Sequence, residues 1–122
     1  MESTELNWEA YGDVNPIEHG GVWALNQKDR DNAFFLVELV NMEEACGEPG
    51  FLISSCYVDL EDSWIEMDRV KSFIGADEDT SAITLAIGVL AYYGPEHCGG
   101  EAIYTQTEEG AIAEVESHGI DL

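Results

Sequence analysis

NAFFLVELVNM (32–42), EEACGEPG (43–50) and FLISSCYVDL (51–60) follow one another without a break. The outer two segments are rich in Phe, Val, Leu and Ile, which suit a pleated strand. The middle one carries Gly47, Pro49 and Gly50 among polar residues, which is turn chemistry. Within 51–60, Phe51, Ile53, Ser55 and Tyr57 fall on one face, and Leu52, Ser54, Cys56 and Val58 on the other. Upstream, GGVWALN (20–26) has the same strand character, and polar QKDRD (27–31) separates it from residue 32. That is a hairpin signal with a loop of several residues. The stretch around Leu6–Tyr11 reads as a further strand or helix.

Beyond residue 60 the pattern changes to helix. Ser63-Trp64-Ile65-Glu66 fits a capping box, so a helix is predicted from there to Ile74, ending at Gly75. Met67, Val70, Phe73 and Ile74 would form its apolar stripe. A second helix is predicted over about Thr80–Tyr93, apolar on nearly every side and therefore central, with Gly94-Pro95 ending it. A third runs over about Glu108–His118, with Ala111, Ile112 and Val115 inward and Gly119 as its stop. The fold class that follows is α+β: a small antiparallel sheet of three or four strands packed against about three helices. One domain is expected over residues 1–122, strand-rich in 1–60 and helix-rich in 61–122. Trp23, Phe34, Phe35, Trp64, Phe73 and Tyr92 are assigned to the core, with Tyr93, Tyr104, Trp8 and Tyr11 less committed.

The charge is far from ordinary. Twenty-six acids face four bases, for a net charge of −22. Small soluble domains do well with a magnitude of about 2–8, and the excess costs stability through self-repulsion. Lys28 and Arg30 alternate with Asp29 and Asp31; Arg69 and Lys71 follow Glu66 and Asp68. After residue 71 there are ten acids and no Lys or Arg. No basic patch can form, so direct binding to nucleic-acid phosphates or to an anionic membrane is not expected. A basic partner is the natural complement. The plain alternative is a solvated acidic skin.

Residues 57–68, YVDLEDSWIEMD, concentrate the charge: Asp59, Glu61, Asp62, Glu66 and Asp68. Acids before and within a first helical turn suit the positive helix end, which explains two or three of them. As a calcium loop counted from Asp59 the run fails, because Trp64 stands where Gly is needed and Val70 where Glu is needed. Cys46, Cys56, His97 and Cys98 lack zinc-site spacing, and three cysteines without CxxC read as free thiols. GxSxG, P-loop and GxGxxG patterns are absent. The expectation is a protein that is not an enzyme and needs no cofactor or metal. MESTEL carries no signal-peptide pattern, and AITLAIGVLAYY (82–93) is too short to span a bilayer. A cytoplasmic location follows as the expectation.

DSWIEMDRVKSFIG (62–75) followed by AIGVLAYYGPEHCGG (86–100) resembles small acidic proteins of phages and conjugative elements of Firmicutes, over about residues 5–98. In size and charge the chain is also similar to antirestriction and anti-CRISPR proteins that mimic nucleic acid. The resemblance implies a mobile-element protein acting in the host cytoplasm against host defence. Carboxylates on neighbouring turns or strand positions stand several ångströms apart, the scale of DNA phosphates. The expected activity is inhibition of a basic, nucleic-acid-handling protein, a CRISPR effector or a restriction enzyme, by blocking its channel. The expected contact residues are Asp59, Glu61, Asp62 and Glu66, with Asp77, Glu78 and Asp79 beside them. Homodimerisation is compatible with this. The alternatives are an acidic adaptor or regulator, and a divalent-metal-dependent enzyme.

Overall fold

The computed structural model describes residues 8–12, 16–27 and 32–120. In chain order the elements are β1 (Glu9–Gly12), α1 (Pro16–His19), β2 (Gly21–Asn26), β3 (Ala33–Asn41), α2 (Met42–Cys46), β4 (Phe51–Asp59), α3 (Met67–Ile74), α4 (Ala82–Tyr93), a 3-10 turn (Pro95–Cys98), β5 (Glu101–Thr105) and α5 (Glu108–Glu116). The class is α+β, and the three strands predicted over 20–60 stand where the pattern put them. The sheet has five strands rather than three or four, in the order β1-β2-β3-β4-β5, every neighbouring pair antiparallel. Among the described residues there are five helices rather than about three.

β3 is the central strand, and its register explains its sequence. Phe34 and Leu36 face one way with Ala24, Cys56 and Val58, all buried. Val37 and Leu39 face the other way with Trp23 and Ile53, also buried. A strand covered on both faces needs an almost unbroken apolar run, which is what FFLVELV supplies. Glu38 alone interrupts it.

The Phe34 face is roofed by α3 and α4 through Val70, Ala86, Val89 and Leu90. The Val37 face is roofed by α5 and the chain behind it, through Ala111, Val115 and Ile120, with Ile17 of α1 packed against them. α3 and α4 cross closely at Gly88, where an added Cβ would stand 2.8 Å from Ile74 Cδ1 and 3.2 Å from Val70 Cγ1. Thus α4 is only partly buried: Ala86, Gly88, Val89 and Leu90 are inside, while Thr84, Ala91 and Tyr92 face solvent. This corrects the expectation of a central buried helix.

The helix starts also differ from the pattern. α3 begins at Met67 with Glu66 as its N-cap, and no side chain caps it. The predicted Ser63–Glu66 box does not form, because residues 59–66 are engaged in a turn of their own. Asp59 Oδ1 accepts from Glu61 N–H at 3.0 Å, and Tyr93 Oη accepts from Glu66 N–H at 2.9 Å. Gly75 ends α3 as expected, at φ 67°. α4 starts two residues later than predicted, where Ser81 Oγ accepts from Thr84 N–H at 3.4 Å. α5 is capped by Thr107, whose Oγ1 accepts from Gly110 N–H at 3.0 Å.

Candidate interaction surface

Of the seven carboxylates expected to make contacts, one is not at the surface. Asp59 is only 4% exposed. It ends β4 and organises the turn into α3, so its role is structural. Glu61, Asp62 and Glu66 are exposed on that turn. Asp62 Oδ2 accepts from Trp64 Nε1 at 3.3 Å, and Glu66 Oε2 lies 3.1 Å from Arg69 Nε. Glu61 Oε2 accepts weakly from Asn32 Nδ2 at 3.4 Å. Beyond the far end of α3, Asp77 Oδ1 accepts from Asp79 N–H at 2.9 Å in a tight turn, with Glu78 and Asp79 exposed beside it. The two runs therefore flank α3, an 8-residue helix of roughly 12 Å at 1.5 Å per residue.

What joins them is aromatic. Trp64 is 42% exposed, Phe73 58% and Tyr92 37%, although the sequence pattern assigned all three to the core. Trp23 and Phe34 are buried as expected, and Phe35 partly so. These exposed rings form a row through the half-buried Tyr93. Trp64 meets Tyr93 edge-on with centroids 5.0 Å apart; Tyr93 meets Tyr92 at 4.9 Å; Tyr92 meets Phe73 at 5.3 Å. His97 extends the row from Tyr93 at 6.2 Å. These spacings lie in the range of favourable edge-to-face pairs. Trp64 belongs to the first acidic run, and Phe73 ends four residues before Asp77. The row thus leads from one acidic run to the other across the outer side of α3 and α4.

Sequence reasoning missed the row for an identifiable reason. Met67, Val70, Phe73 and Ile74 share helical spacing, but Val70 takes the centre of the buried stripe and is fully inaccessible. Phe73 falls at the stripe's edge. The doublet Tyr92-Tyr93 at the end of an apolar helix was the available signal: adjacent side chains on a helix point about 100° apart, so one ring of such a pair readily falls outside the buried face.

Cys46, Cys56, His97 and Cys98, which lack zinc-site spacing, are not gathered into a metal site either. Cys56 on β4 and Cys98 in the 3-10 turn are neighbours, close enough for one thiol to hydrogen-bond the other. That bond holds Cys98 below the ordinary thiol range and, with burial, pushes Cys56 up. Cys46 is exposed on α2 and bonds to Met42 O within its own helix. Among the described residues no group of three or more His, Cys, Asp or Glu is placed to hold a metal. No helix among them is long and apolar enough to cross a membrane. Comparison with protein-family models, curated proteins and solved structures gave no match.

Proposed function

We propose that this chain is a non-enzymatic acidic inhibitor that docks on a basic, nucleic-acid-binding channel of a host defence nuclease, of the CRISPR or restriction type. The observation that carries the reading is the row Trp64–Tyr93–Tyr92–Phe73, exposed at every ring but the half-buried Tyr93, with a run of carboxylates at each end. Large exposed rings are the residue types that anchor protein interfaces, and acids around them select a basic partner. Exposed Glu61, Asp62, Glu66, Glu78 and Asp79 would pair with the Lys and Arg that otherwise hold phosphates. The net charge of −22 would steer the encounter over distances set by salt. Rings and carboxylates then divide the labour: charge brings the partner in, and apolar burial keeps it.

The test is competition. A basic nuclease captured from host lysate at low salt is purified, and its affinity for labelled duplex DNA is measured with and without this protein. The proposal expects DNA to be displaced. Changing Glu61, Asp62 and Glu66 to amides should slow association and flatten its salt dependence. Changing Trp64 and Phe73 to Ala should speed dissociation. Unchanged DNA affinity at saturating inhibitor would sink the reading.

A further inference from the structure

Away from the aromatic row, the roof of α3 and α4 stops short of one end of the sheet. Their packed cluster ends at Leu36 and Cys56. Past it, on the same face, the floor is Glu38 of β3, between Val22 of β2 and Ser54 of β4. An open cleft of about 470 Å³ lies there, within the range of small-ligand sites. Tyr11, Val22 and Val40 wall it, and His19 and Glu44 stand at its rim. Asn41 fixes both rims. Its Nδ2 donates to Ile17 O at 2.9 Å and to Glu18 O at 2.7 Å, holding α1, and its Oδ1 accepts from Glu43 and Glu44 N–H, capping α2.

We propose that this cleft binds an organic cation, a primary ammonium or guanidinium on a flexible apolar stem, with Glu38 as its counter-ion. Glu38 is half-buried, and no described residue hydrogen-bonds or ion-pairs with its carboxylate. A carboxylate set in the middle of a central strand without a partner is costly unless something pairs with it. Burial accordingly pushes its pKa up. The one base among the lining residues, His19, is already committed, with Glu44 at 3.3 Å and Glu18 at 3.7 Å. An anion would find no free positive charge there. Tyr11 donates to Glu9 at 2.6 Å, and that bond pushes the phenol up to about 12, so the ring stays neutral beside the cation. The walls of Tyr11, Val22 and Val40 suit a methylene stem.

The site stands on its own residues and is tested apart from the proposed inhibition. Spermidine and a capped Gly-Arg-Gly peptide are titrated separately at moderate salt and followed by amide and side-chain chemical shifts. The expected result is saturable one-to-one binding of at least one of them, with shifts centred on Tyr11, Val22, Glu38 and Val40. Spermidine alone binding would identify a free polyamine; the peptide alone, a side chain borne by a protein. Glu38→Gln removes one of 26 acids, so screened attraction to the whole surface would change by no more than about twofold. Loss of a desolvated counter-ion should instead weaken binding at least about tenfold. Ala45→Trp, at the exposed rim, fills the mouth with no change of charge and should weaken it similarly. Equal binding by both variants, or shifts spread over the whole surface, would overturn the site.

Discussion

The two faces of the sheet carry the same kind of floor and end differently. Under α5 the floor is Trp23, Val37, Leu39 and Ile53, and the cover of Ala111, Val115 and Ile120 closes over it. Under α3 and α4 the floor is Ala24, Phe34, Leu36, Cys56 and Val58, equally buried, but the next residue of β3 on that face is Glu38, in an open cleft. The first face is closed over. The second stabilises over part of its length and presents chemistry at both extremes, rings and acids on the outer side of its helices and a carboxylate where they stop.

If both floors bear structural weight alike, Leu36→Ala and Leu39→Ala should each lose about 3 kcal/mol of unfolding free energy by denaturant titration. A much smaller loss at Leu36 would mean that the α3–α4 roof is loose. Gly100→Ala comes next, at about 2 kcal/mol, because its Cβ would collide with the Ser55 carbonyl oxygen and the Cys56 side chain beneath the turn into β5. Ser81→Ala should cost about 1 kcal/mol as loss of an N-cap, whereas Ser63→Ala should stay within about 0.5 kcal/mol because no cap is formed there. Glu38→Gln should raise the melting temperature at pH 7. The folded-state pKa of Glu38 is raised, so the protein loses stability as pH climbs from the ordinary carboxylate range through that higher value. The gain should therefore vanish below about pH 4, where both side chains are neutral. Smallest of all is Arg69→Ala, whose exposed pair with Glu66 should contribute no more than about 0.5 kcal/mol.

What the sequence disclosed and what it hid separate along physical lines. β2, β3 and β4 were legible because buried strands need continuous apolar residues, and the Gly75 stop of α3 because a left-handed residue favours glycine. β5 was not legible: EAIYT is short and lies at the sheet edge, where four of its five residues are exposed and no apolar run is required. The capping box misled because a local motif lost to tertiary bonds, those of Asp59 and Tyr93. In the candidate surface the carboxylates could be read directly, apart from Asp59, whose burial depends on the turn it builds. The aromatic row could not, since periodicity says that a ring is on a helix but not which neighbour outcompetes it for the core. The cleft was hidden for another reason. It exists where a roof ends, and helix length alone does not say how far along a sheet the roof will reach.

The edge strand has a colloidal consequence. β5 ends the sheet with Ile103 and Tyr104 half-exposed, and its only charge is Glu101; no lysine, proline or bulge guards it. Such an edge is a template for a second strand. Pairing of two copies through it is opposed by the repulsion of two bodies each carrying −22. Salt shortens that repulsion to about 3 Å at 1 M, and acid removes it by protonating the carboxylates. Opposition to self-pairing therefore comes from the surface potential rather than from the edge itself. Light scattering should show particle size growing as ionic strength rises or pH falls, and a lysine at Ile103 should suppress that growth.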